Sequence, residues 1–157
     1  MTTRAELALA DVGATRALAR RIAAALRGGD VVALSGPLGS GKSELARALI
    51  QARAGAAIEV PSPSFTLVQD YEVGALTIRH IDLYRIEQPA EIEELGLSAP
   101  AADEAWLIEW PERAPALPPE DRLDVSLLQG PRPEARIARL AAGPSWASRL
   151  PGLRSDP

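Results

Sequence analysis

The sequence lacks cysteine and contains little histidine or aromatic residue, and each shortage excludes a class of protein. Without cysteine there can be no disulfide, thiol nucleophile or thiolate metal site. A single histidine excludes a multi-histidine zinc site. Aromatic residues make up only 4% of the chain, so the core must consist mainly of Ala, Leu, Ile and Val. No apolar run approaches the roughly 20 residues of a membrane-spanning helix, and the N-terminus lacks the pattern of a signal peptide.

The remaining composition is that of an ordinary globular domain. The chain has 157 residues, of which 46% are hydrophobic and 24% charged, and this length suits one compact core. Its net charge of -4 argues against broad, non-specific nucleic-acid binding, which requires a basic face. We therefore expect a soluble cytoplasmic domain that binds neither DNA nor membranes.

Apolar periodicity in the first half of the chain predicts alternating helices and strands. The predicted elements are helix 15–27, strand 31–34, helix 42–53, strand 65–72 and strand 76–80. The short apolar run of 31–34, bounded by turn residues, is typical of a buried strand. This alternation favours a single α/β domain with a mostly parallel central sheet flanked by helices.

The second half is expected to be richer in loops, because eleven of the 14 prolines lie at or after Pro89. A short helix is predicted at 90–95, followed by strands at 106–108, 123–128 and 136–140. Residues 143–157 show no periodicity, which predicts a disordered tail after a domain of residues 1–142.

A phosphate-binding loop lies between the first buried strand and the second helix. The pattern G-x-x-x-x-G-K-[ST] occupies Gly36, Pro37, Leu38, Gly39, Ser40, Gly41, Lys42 and Ser43. Its glycines let backbone N–H groups converge on phosphate oxygens, and the following helix adds its N-terminal donors and dipole. Lys42, the one lysine among 17 basic residues, would bridge the β- and γ-phosphates, and the Ser43 hydroxyl would bind Mg²⁺. A P-loop nucleoside triphosphatase is therefore predicted.

The triphosphate is expected to be ATP. A dinucleotide fingerprint would need a third glycine, where this chain has Glu44. The chain contains no asparagine, so the guanine-reading Asn-Lys-x-Asp motif is excluded, and a GTPase Asp-x-x-Gly switch is also missing.

Two acidic residues follow apolar strands and are candidates for the metal and hydrolysis site. Asp82 follows 76–81 and Glu109 follows 106–108. Ligands collect at the carboxyl edge of a parallel sheet, so either carboxylate could hold Mg²⁺, directly or through water, or orient the attacking water.

Three further features allow two interpretations each. The segment 62–66 could sense the γ-phosphate through a hydroxyl, or simply connect two elements. His80 could be catalytic, although a lone histidine on a strand is more often packed or hydrogen-bonded. Trp110 could pack against the site or present a surface to a partner.

Four blocks of the sequence resemble the TsaE (YjeE) family, the P-loop ATPases of bacterial tRNA threonylcarbamoyladenosine synthesis. The blocks are GPLGSGKS at 36–43, SPSFTLVQDY at 62–71, HIDLYR at 80–85 and IEWPER at 108–113. The first is generic to P-loop proteins, whereas the order and spacing of the other three are specific. The resemblance extends from about Thr15 to Arg136. The family usually has threonine where this chain has Ser43 and Ser64, and both substitutions keep the hydroxyl.

The resemblance implies a mostly parallel sheet and a weak Mg²⁺-dependent ATPase. Asp82 and Glu109 would serve the Mg²⁺ and hydrolysis site, and Ser64 would belong to the switch. Thr15 and Arg136 would contact the nucleoside. The partner would be the TsaB–TsaD pair, which modifies adenosine 37 of tRNA, so tRNA would be met only through that complex. ATP binding would assemble or reset it.

Two other functions remain possible on the sequence. A small-molecule P-loop kinase would need an acceptor pocket and a lid with arginines, for which Arg113 and Arg122 are candidates. A nucleotide-binding module could instead signal without useful hydrolysis, and Glu109 would distinguish that case.

Overall fold

The centre of the fold is a mixed β-sheet, described by a computed structural model that covers residues 2–63, 66–115 and 120–154. Within these ranges the strands are β1 Thr3–Leu9, β2 Val31–Ser35, β3 Val68–Val73, β4 Leu76–Asp82, β5 Glu104–Glu109, β6 Leu123–Gln129 and β7 Arg136–Ala142. The helices are α1 Val12–Ala25, α2 Lys42–Ala54, α3 Pro89–Glu94, α4 Pro144–Ala147 and α5 Leu150–Leu153, with a 3₁₀ turn at Pro111–Arg113.

The strands lie in the order β1-β7-β6-β2-β5-β4-β3. The four central strands, β6, β2, β5 and β4, are parallel. The outer strands pair antiparallel at both edges. The α/β prediction is thus confirmed, with a parallel core to which antiparallel strands are added.

Both faces of the sheet are buried, because neighbouring side chains on a strand point to opposite sides. On β2, Val32 and Leu34 join the larger hydrophobic cluster, while Val31 joins the smaller one. Leu18 and Ile22 of α1 are buried in the larger cluster, as the helical periodicity predicted. Ile92 of α3 packs against the smaller cluster. Helices therefore flank the sheet on both faces.

The first helix begins before the predicted position. Asp11 caps α1 by accepting a hydrogen bond of 2.9 Å from the Ala14 backbone N–H to its Oδ1. An aspartate at this position satisfies one of the unpaired N-terminal donors of a helix. The helix consequently starts at Val12 rather than at residue 15.

The C-terminal residues correct the prediction of a disordered tail, which is wrong for 143–154. Trp146 is fully buried, and Leu150 and Leu153 of α5 belong to the same hydrophobic cluster. The guanidinium of Arg149 bonds both carboxylate oxygens of Asp30, at 2.7 and 2.9 Å. Helices of four residues are too short to show periodicity in the sequence, and distant partners hold them in place.

No helix in the described part of the chain has the length and hydropathy required to cross a bilayer.

Candidate functional site

The loop between β2 and α2 has backbone geometry that requires glycine. Gly36 has φ +140°, and a Cβ there would lie 2.4 Å from the Leu127 carbonyl oxygen and 2.7 Å from Ser40 Oγ. Gly39 and Gly41 also have positive φ, at +77° and +106°. The Ser40 N–H donates to the Pro37 carbonyl at 3.1 Å and closes the loop. The loop thus brings its backbone close to the start of α2.

The N-terminus of α2 begins directly after this loop. Gly41 is its N-cap residue and offers no side chain to accept a hydrogen bond from the first turn. The first N–H groups of a helix have no partner within the helix, and they carry the positive end of its dipole. Together with the glycine loop, this arrangement suits an anion such as phosphate.

Lys42 is almost wholly buried in the first turn of α2. Its Nζ donates to the carbonyls of Gly36, at 2.6 Å, and Pro37, at 3.0 Å. Burial lowers the pKa of Lys42 below its usual value, while the negative charges of Glu109, Glu112 and Asp82 oppose that shift. The ammonium is therefore held inside the loop by carbonyl oxygens.

Ser43 and Glu109 connect the loop helix to the end of β5. The Ser43 hydroxyl donates to Glu109 Oε1 at 2.9 Å. The other carboxylate oxygen, Oε2, lies 2.6 Å from Nε2 of His80 on β4. Glu109 and His80 are 1% and 2% exposed. His80 is thus a hydrogen-bonded histidine, and its partner is a predicted site residue.

Asp82 ends β4 beside Glu109, with which it is paired in the parallel register. Its Oδ1 accepts from the Tyr84 backbone N–H at 3.0 Å, and its Oδ2 accepts from the Ser62 hydroxyl at 3.4 Å. Both predicted acids therefore lie at the carboxyl edge of the parallel core, where ligands bind in such sheets.

The loop and the two acids line one cavity of about 310 Å³. Its walls are formed by Leu38, Gly39, Gly41, Lys42, Ser43, Glu44, Ser62, Asp82, Tyr84, Glu109 and Trp110. Of these side chains, Leu38 and Tyr84 are the exposed large hydrophobic ones. The structure thus brings together most of the predicted phosphate and metal residues around one space.

Trp110 packs against the site, which was one of the two interpretations of that residue. Its ring centroid lies 4.0 Å from the Lys42 Nζ and 4.9 Å from the Tyr84 ring. Sequence reasoning gave no role to Tyr84. Its signal was its position two residues after Asp82, where the chain leaves β4 over the same edge of the sheet.

Arg136 also contacts the phosphate loop, from the start of β7. Its guanidinium donates to the carbonyls of Ser40, at 3.0 Å, and Gly39, at 3.2 Å. It lines a second cavity of about 440 Å³ together with Leu9, Pro131 and Ile137. The structure therefore places Arg136, which was predicted to contact the nucleoside, directly beside the phosphate loop.

Thr15 is not brought to the site in the same way. Thr15 is buried within α1 and is not among the described residues that line either cavity. Its neighbour Arg16 does reach α2, through an ion pair of 2.7 Å with Glu44. Ser64 lies outside the described residues, so its switch role stays a prediction, as does the nucleoside contact of Thr15.

The residues at the cavity fit a magnesium ion that is shared with phosphate. Among the described residues there is no group of three or more Asp, Glu, His or Cys side chains that could hold a metal by themselves. Mg²⁺ in phosphate sites keeps several waters and needs only one or two protein oxygens besides the phosphates. The Ser43 hydroxyl, with Glu109 and Asp82 behind it, is an oxygen set of that kind.

Comparisons with known proteins agree on one family. The family model described as "Threonylcarbamoyl adenosine biosynthesis protein TsaE" matches residues 9–137. The chain is similar to a tRNA threonylcarbamoyladenosine biosynthesis protein TsaE of Rickettsia felis, with 34% identity over 91% of this chain and 83% of that protein. The protein of the same name in Bacillus subtilis is 33% identical over 82% and 80% of the two chains.

A crystal structure of Bacillus subtilis YdiB has the same fold. The two structures superpose with a TM-score of 0.78 and 24% sequence identity, over 98% of this chain and 95% of the other. This agreement covers the edge strands and the C-terminal helices as well as the parallel core.

Proposed function

This chain belongs to the TsaE family of threonylcarbamoyl adenosine biosynthesis proteins, and from that premise we propose that it binds and hydrolyses ATP with Mg²⁺ to support tRNA modification. A role in threonylcarbamoyladenosine biosynthesis follows from membership of the family. Nucleotide chemistry at this chain's own site is the proposal, and the geometry of the phosphate loop supports it.

The observation that carries the proposal is the hydrogen bond between Ser43 and Glu109. It joins the residue expected to bind the metal to a buried strand-end carboxylate, at 2.9 Å, and both residues line the cavity. A serine that ended a merely structural glycine turn would not need a buried acid as its acceptor. The pair therefore favours a site for Mg²⁺ and a phosphate group.

Each residue then has a defined task. The glycine loop and the first turn of α2 donate N–H groups to phosphate oxygens, and Lys42 adds an ammonium. Ser43 offers its hydroxyl oxygen to the metal, and Glu109 and Asp82 hold metal-bound water or the attacking water. When bound, Mg²⁺ would neutralise the negative charge that develops on the phosphates. The Trp110 ring covers the Lys42 ammonium, with its centroid 4.0 Å from Nζ.

The nucleoside is proposed to occupy the second cavity. Arg136 lines that cavity and bonds the loop carbonyls of Gly39 and Ser40, so one side chain borders both spaces. Leu9 and Ile137 supply apolar surface for a flat base. A triphosphate in the loop would thus have room for its base on the β7 side of the sheet.

The proposed partner is a TsaB–TsaD pair in the cytoplasm. The protein would contact tRNA only indirectly, through that complex. This part rests on family membership and on the acidic charge, which suits a protein partner better than a polyanion. ATP binding would assemble or reset the complex between rounds of modification.

The test is multi-turnover threonylcarbamoyladenosine formation on tRNA, with the TsaB–TsaD pair, its activated substrate and ATP. The reactions contain this protein as wild type, as Lys42→Ala or as Glu109→Ala, or omit it. We expect sustained product with the wild type only. Equal product in all four mixtures would overturn the assignment, and small phosphate acceptors would then be screened for kinase activity. Sustained product with Glu109→Ala, but not with Lys42→Ala or without the protein, would show that ATP binding suffices.

A further inference from the structure

A hydrogen-bonded chain of three side chains runs from the phosphate loop into the sheet. Ser43 Oγ donates to Glu109 Oε1 at 2.9 Å, and Glu109 Oε2 lies 2.6 Å from His80 Nε2. His80 and Asp82 lie two residues apart on β4, so their side chains share one face of the sheet. His80 is therefore one layer deeper than the acids that border the cavity.

The chemistry of the groups fixes which one donates. An ionised carboxylate can only accept hydrogen bonds, so Nε2 of His80 must carry the hydrogen. The other ring nitrogen, Nδ1, is buried and has no hydrogen-bond partner among the described residues.

Because both oxygens of Glu109 are engaged, its carboxylate cannot rotate freely. His80 holds Oε2 from inside the sheet, and Oε1 is left facing Ser43 and the cavity. Without the histidine, Oε2 of Glu109 would lose this hydrogen-bond donor, although the residue is only 1% exposed. It would then turn toward other donors, and Oε1 would lose its fixed direction.

We propose that His80 is a positioning residue, which orients the Glu109 carboxylate so that one oxygen stays directed at Ser43 and the metal–phosphate site. The inference rests on the proposed function, because it concerns how this chain prepares its Mg²⁺-ATP site. His80 itself touches neither phosphate nor metal in this role. It acts through Glu109, as partners of metal-site residues commonly do.

Nitrogen NMR of the imidazole tests the geometry without any turnover. His80 is the one histidine of the chain, so its ring signals need no assignment. We expect a protonated Nε2 whose hydrogen exchanges slowly and resonates far downfield, and a marked shift of that signal in Glu109→Gln. A ring whose Nε2 carries no hydrogen, or a signal indifferent to Glu109→Gln, would overturn the proposal.

A matched pair of variants tests the consequence. His80→Gln places an amide nitrogen near the position of Nε2, whereas His80→Asn places one near Nδ1, where it cannot reach Glu109. The readout is the ratio of ATP dissociation constants in EDTA and in saturating Mg²⁺, accompanied by the kcat and KM of hydrolysis. We expect His80→Asn to lower this ratio and kcat by about 10- to 100-fold, with little change in the dissociation constant measured in EDTA. His80→Gln should keep most of the wild-type ratio and kcat.

The outcomes separate this inference from the function on which it rests. A wild type that gains no affinity from Mg²⁺ overturns the proposed function and the positioning role together. If Mg²⁺ raises the ATP affinity of the wild type and of His80→Asn equally, the positioning role alone is overturned. Thermal unfolding of both variants shows whether a loss is general: equal loss in Asn and Gln, in proportion to lowered stability, would make His80 a packing residue only.

Discussion

The Nζ of Lys42 lies 4.0 Å from the centroid of the Trp110 ring. Trp110 directly follows the acid Glu109, and its φ of +61° is a left-handed conformation that is unusual outside glycine. This backbone turns the chain from β5 back over the phosphate loop. The strained residue thus places an aromatic face against the lysine that is expected to bind phosphate.

The first prediction concerns this contact. Cation–π pairs contribute roughly 0.5 to 2 kcal/mol, and more when water is excluded. A double-mutant cycle of Lys42→Met and Trp110→Leu, measured by urea unfolding, should therefore show a coupling free energy of about 1 kcal/mol. Trp110→Phe in place of Leu keeps a ring and should retain part of the coupling. Additive effects of the two substitutions would contradict the contact.

The second prediction compares two glycines of the same loop. Both Gly36 and Gly39 have positive φ, but a Cβ at Gly39 would meet nothing within 4 Å, whereas one at Gly36 would meet the Leu127 carbonyl. Gly39→Ala should cost about 1 to 2 kcal/mol of unfolding free energy, from backbone strain alone. Gly36→Ala should cost about 1 to 3 kcal/mol more and weaken ATP binding by about tenfold or more.

Chemical denaturation and nucleotide titration of these two variants check this difference. Equal stability and equal ATP affinity would mean that the close approach at Gly36 is relieved by a small loop shift. In that case the glycine would be required only for its conformation.

The phosphate loop and its acids could be predicted because their signals are local. The glycine pattern is contiguous, and Asp82 and Glu109 each follow an apolar run whose end marks the sheet edge. By contrast, His80 bonds a carboxylate 29 residues away, and only the parallel register of β4 and β5 brings the two together. The periodicity of β4 could show a buried histidine but not its partner.

The termini were harder to predict for a related reason. Strand β1 has the sequence TRAELAL, whose Ala, Glu and Leu residues favour helices, and only pairing with β7 makes it a strand. The C-terminal helices depend on a pair 119 residues apart in sequence, Arg149 and Asp30. Such long-range contacts leave no trace in composition or local periodicity.

That pair gives the third prediction. The side chains of Arg149 and Asp30 are 8% and 7% exposed, and the guanidinium also stacks on Trp146. Removing one partner of a buried ion pair leaves an uncompensated charge, so Arg149→Ala should lower the unfolding free energy by about 3 to 5 kcal/mol. The control is Arg132→Ala, which breaks an ion pair with side chains 65% and 54% exposed. It should cost less than about 1 kcal/mol.

Urea unfolding of the two arginine variants measures both values. A small effect of Arg149→Ala, similar to that of Arg132→Ala, would mean that residues 143–154 contribute little to stability.

The fourth prediction is a pH dependence of ATP binding that originates in Lys42. Burial lowers the pKa of this lysine in the free protein, and a bound phosphate favours its charged form. Below that lowered pKa the ammonium is already present in the free protein, so Lys42 adds no pH dependence to the affinity. As the pH rises through it, binding must first take up a proton, so affinity falls by up to about tenfold per pH unit.

Because the pKa is lowered, this fall should begin at a lower pH than an ordinary lysine would give. The measurement is the ATP dissociation constant in EDTA between about pH 7.5 and 10, where free ATP no longer changes its own charge. No other lysine can contribute, since Lys42 is the one lysine of the chain. Tyr84→Phe removes the phenol that lines the cavity and should leave the profile unchanged. A flat profile in the wild type, or the same fall in Lys42→Ala, would show that the buried ammonium does not bind the phosphates.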